Sequence, residues 1–306
     1  MGASSDSSQA FSESPATRAR TFSRHEDGKG MDINKWVVRG VEGHIATTAV
    51  EEQLAEQLAI NLPGMLFDAN ALRLRFMGKN AHPINANPDT NPVFELSFTA
   101  RDALSMVGNA DPSIRVRAAA RWVGKNDRAD VEVTKIEHAS DWTFSTKYIG
   151  TINPQTSIKS IDTTSVTTER QLYEAATANQ LVPIDYTALK NTQLPILYSS
   201  HIILFEDELD DNGTSSYKVR IRVMPTFFFI LARFFLRVDG VLVRIYDTRY
   251  YHQFGTDVLV RETSSKEARL DSTWAAIHPS SLRDPDDVSS RLPKLSSTLD
   301  NIALPS

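Results

Sequence analysis

There is no cysteine anywhere in the chain of 306 residues. That absence removes disulfides, thiolate zinc sites and a cysteine nucleophile together. The first ten residues, MGASSDSSQA, carry neither a basic start nor an apolar core for export, and Asp6 stands where a myristoyl acceptor takes Ser or Thr. The chain is therefore expected in the cytoplasm, with the nucleus open to it as well. An excess of positive charge is missing too, because 33 Lys and Arg face 38 Asp and Glu for a net charge of -5. Nucleic-acid binders carry a basic footprint, so no nucleic-acid partner is expected. The longest apolar run, FFFILARFFL at 227–236, is interrupted by Arg233 and falls well short of the about 20 residues that cross a bilayer. No membrane partner is expected either. The sequence contains no G-x-S-x-G elbow, Walker loop, H-E-x-x-H pair or Gly-rich dinucleotide fingerprint. No catalytic residue, cofactor or metal is assigned.

What is present is enough apolar sequence, 41% of the chain, to fill the core of one large domain or two small ones. Residues 1–30 are rich in Ser, Gly and charge and read as a disordered tail. Residues 31–285 read as one ordered domain, and 286–306 as a Pro- and Ser-rich tail. Leu72, Leu74 and Phe76 alternate with Arg73 and Arg75, the period of a half-buried strand. The same alternation recurs from Ile114 to Trp122, with Val131 to Ile136 as its hairpin partner. Thr48 followed by Glu51 predicts a capped helix over 49–60, Thr99 predicts a cap for a short helix, and Asp185 another. A further short helix is expected over 265–274. Many short strands with hairpin punctuation and a few helices define an α+β fold, with mostly antiparallel sheets packed face to face as a sandwich and peripheral short helices.

The densest apolar stretch spans residues 217–262, with Asp239-Gly240 between two strands. A two-residue turn there would pair Leu236 with Val243, Phe234 with Ile245 and Ala232 with Asp247. Ile245 and Asp247 then share one face, where apolar sheet gives way to a carboxylate.

VRIRVMP, RFFLRVDGVLVRIYDTRYYH, LFEDEL, DWTFSTKYIGT, LPGMLFDANALR and ARDAL stand in one order across roughly residues 31–285. Together they resemble the Tip-forty-one-like (TIPRL) family of TOR signalling pathway regulators. The resemblance implies a non-catalytic protein that binds the catalytic subunits of type-2A protein phosphatases and restrains or stores them. It leaves open an adaptor whose main contact is the phosphatase-associated Tap-forty-two/alpha-four protein. The positions it associates with partner binding are Asp102, Ile184, Ile245 and Asp247.

Each of these has a plainer reading from the residues alone. Asp247 serves equally as a strand-end carboxylate satisfied by Thr248, Arg249 or a backbone amide. Asp102 fits as a first-turn carboxylate favoured by the helix dipole. Ile184 fits as an apolar staple before a helix cap. Asp247 and His252 in one strand raise the alternative of an uncharacterised hydrolase, although they point to opposite faces. The acidic run EDELDDNG aligns with a calcium loop only until Val219, where the closing Glu is required, so it reads as a solvated hairpin. Rows of arginines, Arg115, Arg117 and Arg121 or Arg220 and Arg222, read as charged outer strand faces.

Overall fold

Alternating apolar residues from both halves of the chain build two antiparallel sheets with one core between them. The computed structural model describes residues 22–78, 91–106, 145–209, 212–269 and 282–305. The strands expected over 114–122 and 131–136, and the arginine row within the first, lie outside the described residues.

The first sheet has the order β1-β2-β3-β5-β6-β7. Its strands are β1 (Phe22–Arg24), β2 (Gly30–Ile33), β3 (Trp36–Val41), β5 (Ala71–Phe76), β6 (Phe94–Thr99) and β7 (Thr151–Asn153). The second has the order β4-β9-β10-β11-β12-β13-β14-β8. It contains β4 (Met65–Leu66), β8 (Ile158–Asp162), β9 (Tyr198–Asp207), β10 (Gly213–Val223), β11 (Phe227–Val238), β12 (Leu242–Gln253), β13 (Val258–Arg269) and β14 (Lys294–Ala303). The helices are short: α1 (Thr48–Leu58), α2 (Ala100–Ser105), α3 (Glu169–Ala178), α4 (Tyr186–Lys190) and α5 (Pro285–Arg291). The α+β sandwich expected from the pattern is the fold observed.

Leu72, Leu74, Phe94, Leu96 and Phe98 of the first sheet meet Phe228, Ile230, Phe234 and Leu236 of the second in one apolar core. Trp36 of β3 ties the layers, its ring centroid 5.0 Å from Phe228 and 5.2 Å from Phe76. Tyr217 and Tyr250 reach out of the second sheet to donate to the Tyr148 and Ile149 carbonyls, each at 2.8 Å. Their hydroxyls are thus satisfied inside the core, as buried polar groups require. At the sandwich edge Gly40 is needed for close approach: a Cβ there would lie 2.7 Å from Ser200 Oγ of β9.

Several boundaries differ from expectation for identifiable reasons. The polar N-terminal segment already carries β1, whose residues pair with β2 through a turn at Gly28. The helix over 49–60 is present as α1, but its cap is Thr47, without a side-chain bond, so the Thr48-Glu51 box does not form. The cap on α2 is as expected, Thr99 Oγ1 accepting from the Asp102 amide at 3.1 Å. So is that on α4, Asp185 accepting from the Ala188 amide at 2.9 Å. Helix α3 has a full capping box, Thr168 with Gln171, in a segment whose polar composition hid it. Of the helix expected over 265–274, Ser265 to Arg269 instead continue β13, and 270–274 lie outside the described residues.

The largest difference is at the C terminus, where the expected tail contains α5 and β14. Strand β14 is inserted between β13 and β8, with Leu299 and Ile302 fully buried. Its Ser and Thr residues look like tail composition, yet their hydroxyls pair across the ladder: Thr298 with Thr263 at 2.7 Å and Ser297 with Thr163 at 2.9 Å.

Replacing Trp36 by Ala removes the contact joining both layers and is expected to cost about 4 kcal/mol, as for large-to-small aromatic core changes. Urea unfolding checks it; a loss below about 1 kcal/mol would show that the two sheets are not held by this core.

Candidate functional site

The outer face of the second sheet, turned away from the main core, reads apolar, charged, apolar along its strands. At one end Phe227, Tyr251, Val260 and Leu299 pack against Leu172 and Ala176 of α3, Leu181 and Ile184. At the other, Phe235, Val243, Ile245 and Ala268 pack under Leu282, Val288 and Leu292 around α5. Between these two covers runs a floor of ion pairs.

The floor depends on the β11–β12 hairpin. Val241 donates its amide to the Val238 carbonyl at 3.0 Å, and the ladder starts at Val238 opposite Leu242. The loop is therefore three residues, not two, and the expected register moves by one. A two-residue type I′ turn needs positive φ at both central residues, whereas here Gly240 has φ 72° and Asp239 is not in that region. Asp247 consequently faces Arg233 rather than Ala232, and Ile245 faces Phe235 rather than Phe234. Ile245 and Asp247 do share a face, but with arginine beside the carboxylate.

Arg233 grips Asp247 with two hydrogen bonds, Nε at 2.6 Å to Oδ1 and Nη2 at 2.8 Å to Oδ2. Arg249 adds Nη2 at 2.9 Å and itself extends to Glu262, which also accepts from the Tyr186 hydroxyl at 2.9 Å. Helix α5 closes the top. Its Asp286 accepts from Arg220 Nη1 and Nη2 at 2.9 and 2.8 Å and from Arg233 Nη1 at 2.6 Å. Ser289 meets Asp247 at 3.4 Å, while Lys266 Nζ donates to the Ser289 carbonyl at 2.5 Å. Burial alone would raise the Asp247 carboxyl. The hydrogen bonds of Arg233 and the charges of Arg249, Arg233 and Lys266 outweigh it and hold the group below the ordinary 3.8. Asp286 is held below that value by its bonds to Arg220.

Ile245 is 0% exposed and Asp247 1% exposed, so the pair does not form an open rim. The physical reason is the α5 cover, which lay in the segment read as tail. Ile184 is also buried, in the other apolar end. Asp102 stands apart from these three. Its helix packs Ala100, Ala103 and Leu104 into the core between the sheets, and its carboxylate accepts from Thr151 Oγ1 at 2.9 Å. The structure thus sets Ile184, Asp247 and Ile245 along one sheet face and leaves Asp102 in the other layer. Arg220, Arg233 and Asp286 were missed as a cluster; the shifted register hid Arg233, and Asp286 is distant in sequence.

His252 lies on the opposite face of β12 from Asp247, so the two cannot act on one substrate. Its ring packs among Trp36, Phe228 and Phe254, with Nδ1 2.9 Å from the Val258 carbonyl. Burial pushes its pKa down to about 4. In the acidic hairpin run, Glu206 pairs with Lys218 and Asp207 accepts from the Leu209 amide. A cavity of about 160 Å³ beside Glu262, lined also by Thr168, Tyr186 and Lys294, is smaller than the roughly 300 Å³ at which small-molecule sites begin.

The molecule is thus an antiparallel α+β sandwich with an ion-paired network spread over one sheet face. It belongs to the TIP41-like family, whose model matches residues 65–273. A TIP41-like protein of Dictyostelium discoideum is 35% identical, over 90% of this chain and 93% of its own. The Homo sapiens TIP41-like protein is 33% identical over 88% of each chain. The Saccharomyces cerevisiae relative, named Type 2A phosphatase activator TIP41, is 32% identical over 85% of this chain and 68% of its own.

Two outcomes follow from the site's electrostatics. Asp247→Leu strands Arg233 and Arg249 without their shared acceptor and is expected to destabilise the fold by about 4 kcal/mol; an unchanged urea midpoint would refute the ion-paired floor. His252 is neutral when folded, so between pH 6.5 and about 4 only the unfolded chain takes up its proton. The His252 contribution to stability is therefore complete above pH 6.5 and lost by roughly 3 kcal/mol toward pH 4. Denaturation across that range should show a flatter profile for His252→Gln; parallel profiles would contradict the burial assignment.

Proposed function

We propose that this chain is a non-catalytic regulator that binds the catalytic subunit of type-2A protein phosphatases directly and changes its activity. The observation that carries the reading is its likeness, across most of its length, to the yeast protein named as a type 2A phosphatase activator. The build of the site supports it: groups that could recognise a partner are spread along a sheet face, and the cavity beside them is small. Restraint or storage of the subunit is the effect the family resemblance implies, and the yeast relative's name gives activation. Phosphatase turnover with and without the chain reads the sign. Asp102, Ile184, Ile245 and Asp247 are the proposed contacts, Asp102 being partly exposed already. The setting proposed is TOR-linked signalling in the cytoplasm, with the nucleus open to it.

Purified chain and phosphatase catalytic subunit are expected to form a complex without any Tap-forty-two/alpha-four protein, with altered turnover of a phosphopeptide. No complex, or one that forms only when that third protein is added, would overturn direct binding. Asp102→Asn keeps an acceptor for Thr151 but removes the charge. It is expected to weaken the complex about tenfold, or about 1.4 kcal/mol, with an unchanged melting temperature. Equal affinity would remove Asp102 from the contact.

A further inference from the structure

The two residues proposed to meet a partner on β12 are sealed beneath residues of the same chain. We propose that the segment from Leu282 to Leu292 is an intramolecular occupant of the partner-binding face, displaced when the phosphatase subunit docks. An acidic group of the partner then replaces Asp286 on Arg220 and Arg233, and apolar partner side chains replace Val288 and Leu292 over Phe235 and Ile245. This rests on the reading that Ile245 and Asp247 are contacts.

Three observations carry it. First, the face is complete as a binding surface without the segment, with an apolar patch of Phe235, Val243 and Ile245 beside two guanidinium groups. The segment contributes the complementary half: Asp286 in the first turn of α5, with Leu282, Val288 and Leu292 as apolar anchors. Second, its hold is divided between a part that faces inward, Arg233 on Asp286 and Lys266 on the Ser289 carbonyl, and a part open to water. The Asp286 and Arg220 side chains are 52% and 42% exposed, so water screens their pairing. A seven-residue helix does not persist on its own, and its apolar anchorage is three side chains beside the buried Ser289. Third, departure leaves no orphaned charge. Arg233 keeps both bonds to Asp247, Asp247 keeps Arg249, and the Ser289 contact that it loses is a long 3.4 Å. Lys266, only half-buried, turns to solvent.

Because the chain has no native cysteine, Ile245→Cys gives a single thiol that reports on the cover. Two variants release the segment by different chemistry: Asp286→Arg sets like charge against Arg220 and Arg233, and Val288→Asp places a charge in the apolar contact. In each, the introduced thiol is expected to react with a maleimide about tenfold faster. Without the reporter, each is expected to bind the phosphatase catalytic subunit about tenfold more tightly, as when a competent state rises from a tenth to nearly all of the population. Since the two variants change charge in opposite directions, a gain in both cannot come from altered long-range attraction. Unchanged thiol protection in both variants, or an exposed thiol with unchanged affinity, would overturn the displaceable cover. Absence of binding by every form, the unmodified chain included, would instead overturn the proposed function.

Discussion

The pairing of Arg233 with Asp247 is the interaction on which the outer half of this molecule depends. A carboxylate in the middle of a sheet face, almost free of water, persists only if its charge is met at hydrogen-bond distance. The three-residue turn at Asp239, Gly240 and Val241 guarantees this by setting Arg233 directly opposite Asp247. From that pair the network spreads sideways through Arg249 to Glu262 and Tyr186, and upward through Asp286 to α5. A slip of one residue would put Ala232 there and leave the buried carboxylate to Arg249 alone, without its two-pronged partner.

The ion-paired floor also divides the face. Apolar contacts on either side attach separate covers, α3 and α4 with their flanking residues at one end and the α5 segment at the other. The first cover has two helices, one with a full capping box, and bonds Asn301 to the Val182 backbone in both directions. The second has a single short helix anchored by three apolar side chains, an exposed pair of Asp286 with Arg220 and one with the buried Arg233. That imbalance is why the proposed opening falls on the C-terminal cover, beneath which Ile245 and Asp247 are buried.

Much of the fold was legible because alternation is a local signal. Leu72, Leu74 and Phe76, the run through Phe228 to Leu236, and the caps at Thr99 and Asp185 can each be read from a few neighbouring residues. The C-terminal strand was not, because Ser296 to Thr298 become strand-forming only when Thr263 and Thr163 are there to pair with them. Local polarity argued for a tail. The candidate site was half legible: Ile245 and Asp247 share a face as expected, but their cover and their arginine partners depend on a turn type and on long-range packing. Asp239-Gly240 fits both a two- and a three-residue loop, and only the φ angles at the turn distinguish them. Motif resemblance supplied the family, which the matches to relatives bear out.

The most direct test of the whole account is amide hydrogen exchange of the chain with and without bound phosphatase catalytic subunit. Faster exchange at residues 285–292 on complex formation, with slower exchange along β11 and β12, is the predicted pattern. Unchanged or slower exchange at residues 285–292 in a demonstrated complex would contradict the account, since the partner would then be docking with this cover still in place.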